Sequence, residues 1–150
     1  MIQEPILTIG DLIADRGLVQ LAPTSTAREA AMLMAQRSVG AVAVIEGEEL
    51  VGIFTERDLL TRVVAVGREP DHVALAEVMT RQPQTVDSRR SLVHGLSLML
   101  ANRHRHLPVF DNGRVVGMLS CRDVPTDYFL LYENWIASVG PERAVRLAAG

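Results

Sequence analysis

The chain has 150 residues, 48% of them hydrophobic, so it can bury the core of one ordinary domain or of two small, mutually dependent halves. Its formal net charge of -3 argues against a broad duplex-DNA face, and no apolar run approaches the ~20 residues that a membrane helix needs. Cys121 is the only cysteine, which excludes an intrachain disulfide and a cysteine cluster for zinc.

Met1-Ile2-Gln3-Glu4-Pro5 has no basic segment followed by an apolar one, so a signal peptide is not expected and a cytoplasmic location is. Leu7 to Ala14 reads as a short lead-in helix with Asp11 near its start, and Leu18 to Leu21 as a short strand. Thr26 stands as an N-cap, with Glu29 completing a capping box. The helix that follows, Ala27 to Gln36, carries Ala30, Ala31, Leu33 and Met34 on one apolar face and is broken at Gly40. Ala41 to Ile45 is predicted as a buried strand, Glu46 to Glu49 as a hairpin turn and Leu50 to Phe54 as the returning strand. Thr55 opens a helix that runs to about Val66.

Gly67, Pro70 and Asp71 mark a linker over 67–74. A second lead-in helix is predicted from Leu75 to Thr80, a short strand from Gln84 to Val86 and a helix from Ser91 to Asn102. His106 to Phe110 and Arg114 to Leu119 are strands joined by Asp111-Asn112-Gly113, where Asn-Gly is a strong tight-hairpin signal. Ser120 opens a further helix. Residues 128–150 form a helical extension holding Tyr128, Phe129, Tyr132 and Trp135, four of the six aromatic side chains in the chain. At helical spacing Tyr128, Tyr132 and Trp135 share one face, which either caps the chain's own core or joins a dimer contact.

The organisation is a duplication. Gly52-Ile53-Phe54-Thr55-Glu56-Arg57-Asp58-Leu59 is answered 65 positions later by Gly117-Met118-Leu119-Ser120-Cys121-Arg122-Asp123-Val124. The offset holds upstream without a gap, pairing Val51 with Val116, Val44 with Val109, Met34 with Met99, Leu33 with Leu98 and Thr26 with Ser91. A unit this short cannot bury its apolar face alone, so the copies must pack on each other. The domain division is therefore repeat 1 at 8–66, the linker, repeat 2 at 75–127 and the extension.

Thr55 with Asp58, and Ser120 with Asp123, sit where a strand ends and a helix begins, beside free N–H groups and a partial positive charge. Taken singly, such a pair is an ordinary capping box. Taken twice, at strand-to-helix junctions that pseudo-twofold packing turns toward a common groove, the carboxylates become acceptors for the two hydroxyls of a ribose. Arg103-His104-Arg105-His106, before Leu107-Pro108-Val109, is a basic cluster that either binds phosphate or offsets a helix C-terminal dipole. Repeat 1 has the uncharged Val39-Gly40-Ala41-Val42 at the matching place, so unequal sites are expected. All 15 Lys+Arg residues are arginine, which suits phosphate recognition but also follows from a simple coding bias.

Together, Gly52-Ile53-Phe54-Thr55-Glu56-Arg57-Asp58, Arg105-His106-Leu107-Pro108-Val109, Glu77-Val78-Met79 and the ungapped duplication from about Leu12 to Val124 resemble a tandem pair of CBS domains, the Bateman module. The resemblance implies an α/β (α+β) fold of two pseudo-symmetric β-α-β-β-α repeats packed sheet to sheet. It implies ribose binding by Thr55, Asp58, Ser120 and Asp123, phosphate contacts from Arg105 and His106, and an apolar adenine slot lined by strand backbone that involves Val39, Ala41 and Leu107. It further implies a regulatory module that binds AMP, ADP or ATP, forms a homodimer and acts on an effector protein encoded elsewhere.

No nucleophile with a placed base, paired metal ligands or phosphate-cradling Gly-rich loop argues for catalysis. His94, His104 and His106 offer no evident third metal ligand beside a shared strand face. Two alternatives stand beside the nucleotide sensor. One is a module reading NAD(H) or S-adenosylmethionine, and the other is an interaction dimer with empty grooves. The basic cluster disfavours the positively charged sulfonium of S-adenosylmethionine.

Overall fold

A computed structural model describes residues 7–149, so the reading of Met1 to Pro5 lies outside the described residues. Among the described residues, no helix is long and apolar enough to cross a membrane.

The first half runs α1 (Ile9–Ile13), β1 (Gln20–Leu21), α2 (Ala27–Arg37), β2 (Ala41–Glu46), β3 (Glu49–Thr55) and α3 (Glu56–Asp58), which continues as a π turn over Leu59–Val64. The second runs α4 (Leu75–Val78), β4 (Thr80–Arg81), β5 (Val86–Asp87), α5 (Leu92–Asn102), β6 (His106–Asp111) and β7 (Arg114–Ser120), then a 3-10 turn at Cys121–Asp123. The helices α6 (Thr126–Val139) and α7 (Pro141–Ala149) complete the chain. It is a mixed α/β fold with two sheets, ordered β1-β2-β3-β4 and β5-β6-β7, which meet where β2 approaches β7.

The duplication extends to backbone detail. Thr26 and Ser91 each cap their helix, accepting from Glu29 N and His94 N. Ser38 and Arg103 end those helices in the left-handed region, at φ 53 and φ 56. Each hairpin carries one register shift, between Val44 and Ile45 and between Val109 and Phe110. Two-residue loops close both hairpins, and Asn112 and Gly113 take positive φ, as a primed turn requires.

The lead-in segments are exchanged between the repeats. Ile9 and Ile13 of α1 are buried with Leu92, Leu96, Leu107 and Leu119 in the core of the second half. Ile9 N donates to Arg90 O at 2.9 Å and Gly10 N to Ser88 O at 2.8 Å. Reciprocally, Leu75, Val78 and Met79 are buried with Val42, Phe54 and Val63 in the core of the first half. Leu75 N donates to Ser25 O at 2.8 Å, and β4 adds an antiparallel strand to β3. Neither core is complete without a segment from the other repeat. Equal spacing along the chain hides this crossing, because periodicity reports which face is apolar and not what covers it.

Two predicted helices are cut short for local reasons. The second lead-in helix ends at Val78, because Met79 turns extended and Thr80–Arg81 pair with β3. After Ser120 only a 3-10 turn forms, because Pro125 biases Val124 to extended backbone, φ -75 and ψ 119, and α6 begins beyond it. The aromatic extension is two helices that fold back over α5, with Tyr128 and Tyr132 packed on the second core and Trp135 6.0 Å from Tyr132 between ring centres. Within the chain, the shared aromatic face caps its own core.

Candidate functional site

Both strand-to-helix corners form the reciprocal box that their sequence allows. At the first corner Asp58 N donates to Thr55 Oγ1 at 3.1 Å and Thr55 N donates to Asp58 Oδ2 at 3.0 Å. At the second, Ser120 N donates to Asp123 Oδ2 at 3.0 Å and Arg122 N to Ser120 Oγ at 3.3 Å. The hydroxyl and carboxylate are thereby held at the end of their strand by the backbone they cap.

The exchanged lead-ins supply a further partner to each carboxylate, and here the symmetry ends. Thr80, from β4, brings its hydroxyl within 3.4 Å of both oxygens of Asp58, and Arg62 Nε lies 3.6 Å from Asp58 Oδ1. Asp58 is nearly enclosed at 7% exposure. At the second corner, Arg16, from the segment after α1, forms an ion pair with Asp123 Oδ1. Arg81, the counterpart of Arg16 by the repeat offset, does not reach Asp58; its guanidinium donates to Ala76 O at 2.8 Å.

Each corner opens on a groove whose far wall comes from the opposite repeat. The first groove, about 750 Å³, sets Thr55, Asp58, Arg62 and Thr80 against Arg103, His104, Arg105 and His106. The second, about 110 Å³, sets Ser120, Asp123 and Arg122 against Arg16, Val39, Gly40 and Ala41. The basic run of repeat 2 therefore faces the carboxylate of repeat 1, and the apolar strand entry of repeat 1 faces the carboxylate of repeat 2. Arg103 and Arg105 are exposed.

His106 lines both grooves and separates them. Burial pushes its pKa below the ordinary histidine value, while the Glu56 carboxylate beside it pulls the other way. Glu56 also meets Arg122 of the second corner at 3.4 Å, so the two corners are tied across the partition.

Of the residues singled out in the sequence, Thr55, Asp58, Arg105 and His106 come together in the first groove, and Ser120, Asp123, Val39, Ala41 and His106 in the second. Leu107 joins neither. Strand alternation turns His106 to the grooves and the Leu107 side chain, at 0% exposure, into the core under α5, so any part Leu107 plays in an adenine slot falls to its backbone. Arg16, Arg62 and Thr80 were not marked by the sequence. The offset aligns Arg16 with Arg81, but nothing local tells which of the two crosses to a carboxylate. Among the described residues, no cluster of three His, Cys, Asp or Glu side chains is arranged to hold a metal ion.

The repeat that builds both grooves is matched twice by the CBS domain family model, at residues 8–65 and 75–124. The chain belongs to the CBS domain family. It is 33% identical over 120 residues to MK0525 of Methanopyrus kandleri, covering 79% of this chain and 61% of that one. It is 35% identical over 104 residues to the CBS domain-containing protein YhcV of Bacillus subtilis, covering 69% of this chain and 74% of YhcV. The chain thus spans less than two thirds of MK0525, and only 18% of the Arabidopsis thaliana relative CBSCBSPB2. Among solved structures, it resembles the CBS domain protein PAE2072 of Pyrobaculum aerophilum, solved complexed with AMP. That match has TM-score 0.76 at 28% identity and covers 85% of this chain and 99% of that one. A second CBS domain structure, NE2398, matches with TM-score 0.75 at 34% identity, over 82% and 98% of the two chains. The tandem CBS pair is a regulatory, ligand-binding type of module.

Proposed function

We propose that this chain is a cytoplasmic regulatory sensor of adenine nucleotides, AMP, ADP or ATP, held in the first groove between the CBS repeats. One observation carries the reading: a cleft of about 750 Å³ opposes the Asp58 carboxylate to the basic run Arg103 to His106. That volume lies within the roughly 300–1,000 Å³ of small-molecule sites, whereas the second groove in its present form is too small. Thr55 and Asp58 would take the ribose, and Arg105 and His106 the phosphates. The AMP-bound PAE2072 supports the ligand class. A permanent sulfonium next to the guanidinium groups of Arg103 and Arg105 disfavours S-adenosylmethionine.

The regulatory output follows from composition of the site. Each groove is built from both repeats, so a ligand bridging them favours one relative arrangement of the halves, and its differential affinity for two arrangements is the signal. The self-association surface in this reading is the helical face of repeat 1, where Met32 is 65% exposed, Leu60 60% and Val64 56%. The matching face of repeat 2 is covered by α6 and α7, with Ser97, the counterpart of Met32, only 2% exposed. A homodimer mass by light scattering at ~100 μM is expected, since contacts of ~1 μM affinity are largely associated there; a monomer mass would overturn that part.

The test of the nucleotide reading is thermal. A ligand that binds only the folded chain raises the melting temperature, by the equivalent of about 2.7 kcal/mol at a hundredfold excess over Kd. AMP, ADP and ATP at millimolar concentration are expected to raise it, and no shift with any of them would sink the proposal.

A further inference from the structure

We infer that Arg16 latches the second groove shut, so that the two grooves fill in order, the first before the second. This rests on the nucleotide reading above and adds to it a residue that sets the unequal affinity of the two sites.

Both oxygens of Asp123 are engaged, Oδ2 by Ser120 N at 3.0 Å and Oδ1 by the Arg16 guanidinium. A vicinal diol seeking this carboxylate must displace Arg16 first. Asp58 is held more loosely: its arginine neighbour, Arg62, stands 3.6 Å from Oδ1 and comes from its own repeat, not from a lead-in that crosses the groove. Its lead-in partner is the neutral hydroxyl of Thr80 at 3.4 Å, which can rotate and also accept a hydrogen bond. The volumes follow the same division, about 110 Å³ beside Arg16 and about 750 Å³ beside Thr80.

The latch can open without unfolding anything. The body of α1 is anchored by Ile9 and Ile13 in the second core. Arg16 lies beyond the end of α1, its N–H donating to Ile13 O at 2.9 Å, and it precedes Gly17. Its side chain is 48% exposed, against 18% for Asp123, so the cation can swing to water while the carboxylate stays in the groove. Arg81, its counterpart, shows the alternative arrangement, bonded to backbone and clear of the carboxylate. Pairing of β4 with β3 holds Arg81 there, whereas residues 14–17 pair with no strand and leave Arg16 free to cross.

Isothermal titration with AMP and ATP tests this when the first groove is disabled by Asp58→Asn, so that remaining binding reports the second. Adding Arg16→Gln is expected to tighten that binding about threefold to tenfold, the scale of a partly shielded charge pair. Arg103→Gln with Arg105→Gln provides a second way to disable the first groove that leaves the capping bonds of its corner intact. Unchanged, weaker or undetectable binding on adding Arg16→Gln overturns the latch, while binding by the wild-type chain keeps the nucleotide reading. Two equal sites in the wild-type chain also overturn the latch alone. No binding by any of these proteins removes both inferences.

Discussion

The Sδ of Met79 lies 2.7 Å from where a Cβ on Gly52 would stand, and the backbone oxygen of Thr80 lies 2.8 Å from it. Met79 belongs to the lead-in of repeat 2 and Gly52 to β3 of repeat 1, so the contact is made by the exchange itself. The counterpart is Gly117, where Ile13 Cδ1 would stand 2.7 Å from an added Cβ. The glycines that open both sequence motifs are there to let a foreign segment lie flat on the strand. What they protect is the crossing of the two halves, on which both grooves depend.

Gly52→Ala is therefore expected to destabilise the chain by about 1–3 kcal/mol, the usual cost of overpacking, because a carbonyl of β4 blocks the added methyl. Gly117→Ala should cost less, since a flexible Ile13 side chain can turn away. Urea denaturation midpoints at constant m-value check the order. A Gly117→Ala loss equal to or above that of Gly52→Ala would contradict the backbone argument.

Asp58 has two separable roles. As a cap it holds Thr55 N, so Asp58→Ala should cost about 1 kcal/mol of stability without ligand. As the diol acceptor of the first groove, its loss should weaken nucleotide binding about tenfold to a hundredfold, the scale of charged hydrogen bonds. Asp123→Ala should weaken the tightest nucleotide site far less. Equal affinity losses for the two variants, measured by titration calorimetry, would contradict the assignment of the main site to the first groove.

Arg105→Gln removes an exposed guanidinium from the first groove. The melting temperature without ligand should stay put. Affinity for ATP should fall about tenfold while adenosine binding changes little, because only the phosphates meet the cation. The salt dependence of ATP binding should become shallower. A matching loss for adenosine would mean that Arg105 acts on the fold of the groove and not on phosphate.

His106 makes stability depend on pH. Burial holds its folded pKa below the ordinary value, so the fold favours the neutral ring. Its contribution is complete above the unfolded pKa of about 6.5 and is lost as pH falls below that toward the depressed folded value. Groups facing it are Glu56, Arg105, Arg122 and Asp123. Between pH 7.5 and 5.5 the wild-type chain should lose more melting temperature than His106→Asn. His94, also lowered by burial, is present in both proteins and cancels. Parallel pH profiles would show that the partition histidine titrates freely.

Much of this was legible in the residues. The 65-position offset of Thr26 and Ser91, of Val44 and Val109, and of the two Gly-to-Asp motifs named the elements and both corners, because capping and strand periodicity act over a few residues. The basic run was visible too, as was its uncharged counterpart at Val39 to Val42. Its partner was not. Sequence order placed Arg105 in repeat 2, yet it shares a groove with Asp58 of repeat 1, and Val39 shares one with Asp123 of repeat 2.

The sequence by itself determined that the chain is a duplicated unit with two hydroxyl–carboxylate corners, one basic approach and an aromatic tail. Those are properties of local spacing and residue chemistry. Only the tertiary structure decided that the lead-ins cross, that each groove is composite, and that Arg16 reaches Asp123 while Arg81 stays on Ala76. Both arginines sit at the same place in the repeat. What separates them is the pairing of β4 with β3, a contact across the chain that no local pattern encodes.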